Sequence, residues 1–302
     1  MWNSPIIAKK NSDPIKILKL DWTSQTILSE ITGRILRQRG YNVEYISMES
    51  TGQWYMLYTQ KGHVQMEVWQ GTMEKKYTEL TQAKYLIDAG DHSALTREEW
   101  WYPSYVDELC PGLPDWQALR KCKELFAVSE TAPEGRYVGG PWEKPDEARI
   151  RALDLGFKVI KQSTGDGIWE ELKKAVDQKQ PVVLFNWSPN WVEAVYDGKF
   201  IEFPEHDPAC ETDAEWGVSK KYTWDCGNPK NGWLKKVVAT SVPDTWPCAF
   251  KIIQNIDFSN AMIAEIAANV DVYGKSVNQA SKQWMSDNKE LWQSWLPDNC
   301  ES

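Results

Sequence analysis

Short apolar strands alternating with segments of helical spacing constrain this chain most. Ile15-Lys-Ile-Leu-Lys-Leu20 reads as a first strand. Thr23 or Ser24 caps a helix, and Ile27, Leu28, Ile31, Ile35 and Leu36 recur at its spacing until Gly40 ends it. Val43–Ile46 follows as a second strand, so the chain opens with a βαβ unit. A helix through Trp54–Tyr58 and a strand at Val64–Trp69 continue the pattern. Such alternation predicts an α/β fold with a mostly parallel sheet and helices on both faces. Ligands of such sheets sit outside the carboxyl ends of strands. Trp22 follows the first strand and Trp69 ends the third, so both fall at that edge.

The chain is expected to leave one lobe, build a second and return. Glu124–Val128 is strand-like, and the Pro/Gly-rich stretch Glu130–Trp142 after it reads as a crossover. Helices are expected from Pro145 or Asp146 and over Ile168–Asp177, and a buried parallel strand at Pro181–Asn186. Phe200–Pro204 reads as the return crossover, and the helices Ser259–Val270 and Ser276–Asp287 close the chain. The division is therefore 14–127 with 204–302 as lobe one, and 128–203 as lobe two. Two crossovers make a hinge. Residues 1–13 read as a polar leader, with Met1 standing where a signal peptide has been removed.

Composition narrows the function. A net charge of −9, with no basic run interleaved with aromatics, argues against nucleic acid binding. No stretch approaches the roughly 18 apolar residues of a membrane span. The six cysteines show no CxxC or Cys/His zinc spacing. Disulfides in an oxidising compartment are expected, against the alternative of buried free thiols. Of the connectivities open to six cysteines, sequential pairing (Cys110–Cys122, Cys210–Cys226, Cys248–Cys300) is favoured. No GxGxxG, P-loop, GxSxG or HExxH pattern is present, and no cofactor is expected. An enzyme acting on methylated amines would need a cofactor site or an acid/base pair; Asp21 and Glu143 are carboxylates that could serve, but nothing in the sequence places them together. Asp207, Glu211 and Asp213 form an acidic loop, read either as a hard-cation site or as a solvated loop.

The aromatic content is unusual: 18 Trp against 7 Phe and 12 Tyr. Leu, Ile or Phe would supply bulk without an N–H to satisfy. An electron-rich indole face holds a cation, above all a quaternary ammonium that donates no hydrogen bond. Three to five rings at about 2 kcal/mol each give roughly 6–10 kcal/mol, against about 8.2 kcal/mol for micromolar binding.

Four segments in order are Asp21-Trp-Thr-Ser-Gln25, Glu67-Val-Trp-Gln-Gly-Thr72, Trp100-Trp-Tyr-Pro-Ser-Tyr105 and Phe185-Asn-Trp-Ser-Pro-Asn-Trp191. Together they resemble the glycine betaine/choline family of ABC-importer substrate-binding proteins, over nearly all of residues 14–295. The resemblance implies a type II periplasmic binding protein of two α/β lobes that closes on a small methylated onium. It implies a membrane permease of an ABC importer as partner, a periplasmic location and a monomer. It places Trp22, Trp69, Trp100 and Trp187 at the ligand. Gly139-Gly-Pro-Trp-Glu143 is more similar to the branch handling trimethylamine N-oxide than to the choline branch.

Each candidate has a plainer reading. Trp22, Trp69 and Trp187 are cage walls or lobe core, with Trp191 as packing beneath Trp187. Trp142 is a cage wall or hinge packing. Trp100 and Trp101 are adjacent, so on a strand only one faces the site, and the resemblance favours Trp100. Glu143 is the expected polar anchor, adding attraction for a cation or, if desolvated, donating to an N-oxide. Its plainer reading is a helix N-terminal Glu. Thr23 and Ser24 open a helix whose free N–H groups suit an anionic group. The function expected is capture of trimethylamine N-oxide, glycine betaine or a relative for import. A sensor for the same ligands is the main alternative.

Overall fold

Nine strands form one continuous sheet in the computed structural model, which describes residues 13–298. They are β1 (Ile15–Lys19), β2 (Val43–Ser47), β3 (Val64–Trp69), β4 (Leu86–Pro103), β5 (Gly135–Gly139), β6 (Phe157–Lys161), β7 (Val183–Ser188), β8 (Gly198–Phe200) and β9 (Lys230–Ala239). The order is β2-β1-β3-β9-β4-β7-β5-β6, with β8 on the side of β4. The expected opening forms. Helix α1 (Thr23–Gln38) buries Ile27, Leu28, Ile31, Ile35 and Leu36 against β1 and β3, and Gly40 takes a positive φ of 79° after it.

The sheet is mixed rather than mostly parallel. β1 pairs in parallel with β2 and β3, and β5 with β6 and β7. β9 runs antiparallel to β3 and β4, and β4 antiparallel to β7. β7, expected as a parallel strand, therefore has one neighbour of each kind. The helices Asp146–Ala152, Gly165–Gln178, Asn260–Asp271 and Val277–Asp287 lie where helical spacing put them. Glu124–Val128 is not a strand; Lys123–Phe126 is a 3-10 turn.

The sheet changes partner at places other than the expected crossovers at 128 and 204. β4 is 18 residues long. It pairs with β9 from Leu86 to Arg97, then with β7 from Arg97 to Trp101. β9 brings the chain back at Lys230. Residues 104–127, placed in lobe one from the sequence, pack with the second half: Phe126 lies 5.7 Å from Phe157 on β6, and Trp116 N donates to Glu202 O. Two disulfides staple this half, Cys110–Cys122 and Cys210–Cys226. Cys248 is also disulfide-bonded. Cys300, its expected partner, and nearly all of the leader lie outside the described residues. No helix among the described residues is long and apolar enough to cross a membrane.

Candidate functional site

The strand ends decide where the rings meet. Trp22 and Trp69 each occupy the N-cap position of a helix, with extended backbone, immediately after β1 and β3. β1 and β3 are parallel neighbours, so both indoles emerge at one carboxyl edge. From the other half, β7 contributes Phe185 and Trp187, and the loop after β5 contributes Trp142. Trp22, Trp69, Trp142 and Trp187 line one small cavity, with Thr72, Met73, Glu98, Lys144 and Phe185. Trp142 meets Trp187 edge to face with ring centroids 5.3 Å apart, and Phe185 is 5.6 Å from Trp187. Gly140 makes the close fit possible: a β-carbon there would lie 2.4 Å from the ring of Trp142.

Behind the first two rings sits Glu67, wholly buried on β3. Its Oε2 accepts the indole N–H of Trp22 at 2.6 Å, that of Trp69 at 3.3 Å and the hydroxyl of Ser24 at 3.0 Å. Its Oε1 is buried with no partner. Burial pushes the carboxyl up to about 7, against the pull of these three donors. Gln65 holds the backbone of Glu67 from both sides, accepting from its N–H at 2.7 Å and donating to its carbonyl at 2.8 Å.

The polar wall of the cavity differs from expectation. Glu143 is exposed and lies on a separate outer cavity. Its neighbour Lys144 turns inward, with Nζ 4.5 Å from the centroid of Phe185, and ion-pairs with Glu98 Oε1, which also accepts from Thr72. Glu98 is 7% exposed. Its Oε2 is buried without a partner and lies 2.4 Å from where a β-carbon on residue 71 would be, so Gly71 leaves its place open. Sequence reasoning missed both residues. Glu98 and Lys144 sit in charged stretches that read as surface, and only the fold brings them together.

Trp100 is not in the cavity. It is 0% exposed, stacked on Tyr137 at 3.8 Å, and its N–H donates to Asp146 at 2.8 Å. Trp101 is equally buried and packs against Gly198. Neither of the adjacent pair faces the ligand space. Trp191 packs on Trp169, whose ring lies 5.1 Å from Trp187, so it supports the wall from behind. Thr23 donates to Asp271 at 2.7 Å across a neighbouring cavity of about 310 Å³, where burial raises Asp271 to about 6. In the acidic loop, Asp207 and Asp213 accept backbone N–H groups and Glu211 faces His206. No cluster of potential metal-ligating side chains occurs among the described residues.

The site can hold a cation against indole faces while supplying both a carboxylate and an ammonium at its rim. The cavity is small, about 50 Å³, room for roughly three to five waters at about 10–15 Å³ each.

The chain is similar to known proteins over nearly all of its length. The family model described as the substrate-binding domain of an ABC-type glycine betaine transport system matches residues 13–287. A trimethylamine N-oxide-binding protein from Pelagibacter ubique (strain HTCC1062) is 33% identical over 294 residues, covering 94% of this chain and 91% of the relative. Among solved structures, a glycine betaine/L-proline-binding protein from Borrelia burgdorferi superposes with a TM-score of 0.74 at 17% identity, covering 95% of this chain and 97% of that one. A choline-binding protein in complex with choline gives 0.73 at 18% identity, with 95% and 93% covered.

Proposed function

Since this chain belongs to the family of substrate-binding domains of ABC-type glycine betaine transport systems, we propose that its own ligand is a small dipolar onium, trimethylamine N-oxide first. The observation that carries this reading is the Lys144–Glu98 pair in the wall of a four-tryptophan cavity. A lone cation such as choline gains from the indoles but meets an ammonium at the rim. A dipolar ligand uses both: its methylated nitrogen faces the rings, and its oxygen accepts from Lys144. Size points the same way. Trimethylamine N-oxide, with only a nitrogen, an oxygen and three methyls, is the smallest of the candidate ligands and suits a cavity with room for a few waters. The relative at 33% identity is named for this ligand.

Trp22 and Trp69 from one half of the sheet and Trp142 and Trp187 from the other are the proposed cage. Glu98 and Lys144 replace Glu143 as the proposed polar contacts. The lobe division follows the sheet, with the crossings on β4 near Arg97 and on β9 near Lys230. An extracytoplasmic location agrees with the disulfides Cys110–Cys122 and Cys210–Cys226. Delivery to an ABC permease, without catalysis, completes the reading.

The test is calorimetric titration of the purified chain with trimethylamine N-oxide, glycine betaine, dimethylsulfoniopropionate and choline in parallel. Micromolar or tighter binding of trimethylamine N-oxide, with choline weakest, is expected. Preference for choline would overturn the dipolar reading. Silence from all four would overturn the cage.

A further inference from the structure

Glu67 lies outside the cavity, touches no ligand position, and yet holds two of the cage walls. Three donors converge on its single oxygen Oε2: the N–H groups of Trp22 and Trp69 and the hydroxyl of Ser24. Hydrogen bonds to an ionised acceptor are roughly twice as strong as those to a neutral one, so three donors gathered on one oxygen favour the anion. A glutamate kept wholly buried with Oε1 unpartnered is also costly, and a glutamine of the same shape would avoid charge burial. The charge is therefore wanted where the shape alone is not enough.

We propose that the Glu67 carboxylate is a positioning and field residue for onium binding: it orients Trp22 and Trp69 through their N–H groups and, as an anion behind their rings, strengthens the hold of both indole faces on a cation. A hydrogen bond from an indole N–H to an anion polarises the ring toward its face, which deepens the quadrupole that attracts the cation. The inference rests on the cage reading above.

Two other groups titrate in the range of Glu67, Asp271 near 6 and Lys236, lowered by burial to about 8, so the pH profile is read as the difference between wild type and Glu67 variants. Trp22 and Ser24 bond its carboxylate directly, while Gln25 and Gln53 bond Gln65, which holds its backbone; all are neutral. On β9, Lys235 is paired with Asp88 and Asp91, and Lys236 is held by the carbonyls of Asp91, Gln254 and Ile256. His92 bonds the carbonyl of Met66, and burial holds its pKa well below the ordinary histidine range. Burial sets the Glu67 carboxyl near 7, so the anion forms as pH rises through neutrality. Across the cleft, Asp271 also titrates near 6, but equally in wild type and in Glu67 variants.

The experiment is titration of wild type, Glu67→Gln and Ser24→Ala with trimethylamine N-oxide from pH 5.5 to 8.5. Wild-type affinity is expected to rise about tenfold across this range. Glu67→Gln should match wild type at pH 5.5, where Glu67 is itself neutral, and fall about tenfold behind it at pH 8.5. Ser24→Ala removes one donor to the anion and should move the midpoint of the profile to higher pH. A gap between wild type and Glu67→Gln that stays constant with pH would mean a purely structural role and overturn the inference. So would superimposable curves. Should Glu67→Gln fail to fold, an unmoved midpoint in Ser24→Ala decides against it. Binding that ignores pH in wild type refutes this inference alone, whereas no binding of trimethylamine N-oxide or glycine betaine by wild type at any pH refutes the cage with it.

Discussion

Replacing Lys144 by methionine separates a dipolar ligand from a simple cation. The stem keeps its volume and its contact with Phe185, while the ammonium over that ring and beside Glu98 disappears. A hydrogen bond from a charged donor is worth about 1.5–3 kcal/mol, so trimethylamine N-oxide should bind roughly 10–150-fold more weakly. Choline should respond in the opposite sense. An ammonium about 6 Å from a bound cation repels it by about 3 kcal/mol at an effective dielectric constant near 20. The paired Glu98 cancels most of this in wild type. Without Lys144 the carboxylate acts alone, and choline should bind about tenfold or more tightly. Both partners of the broken pair are nearly buried, at 10% and 8% side-chain exposure, so stability should fall by about 3–5 kcal/mol. Calorimetry reads both affinities. Their ratio is independent of the folded fraction. Equal weakening of both ligands would refute the reasoning, because Lys144 would then only support the wall.

Four further outcomes follow from particular contacts. Trp22→Ala or Trp69→Ala should each weaken onium binding about 30-fold, one desolvated cation–π contact of about 2 kcal/mol, as read by calorimetry, with circular dichroism retained. Trp100→Ala should do the reverse: unfolding in denaturant should show a loss of about 3–5 kcal/mol, while the remaining folded protein binds normally. Gly71→Ala places a methyl against Glu98 Oε2; affinity for trimethylamine N-oxide should fall, whereas Glu143→Gln should leave it unchanged. Reducing Cys110–Cys122 and Cys210–Cys226, which close loops of 12 and 16 residues, should cost about 3 kcal/mol each, seen as a drop of several degrees in melting temperature.

The sequence showed the outer helices and the first strands plainly, because their apolar residues repeat cleanly at 3.6 or 2. β4 was hidden. Its outward positions carry Asp88, Asp91 and Leu95, its inward ones the small or polar Ala89, His92, Ala94 and Thr96, and two glutamates follow. Such a strand looks like a loop until β9 is seen beside it. The missed strand is where the sheet passes from one set of partners to the next. It also brings Glu98 to the cavity, because β4 runs on from β9 to β7. That Trp22, Trp69, Trp142 and Trp187 line one cavity accords with the strand ends and the Gly-Gly-Pro turn that mark them in the sequence. Trp100 lies buried away from the cavity, because a resembling segment does not say which way the strand turns its side chains. Glu143 faces outward and Lys144 inward, a difference that only the chain's exit from β5 decides.

β4 and β9 have a consequence for how the two halves are joined. Flexible tethers would let the two halves wander in many directions. Here they share a ladder of paired backbone, interrupted by register shifts at Asp88/Asp91, Asp91/Leu95 and Thr96/Arg97, and such irregularities bend a sheet along a preferred line. Glu98 sits directly after the last of these shifts, so the cavity's carboxylate is carried by the strand that joins the two halves.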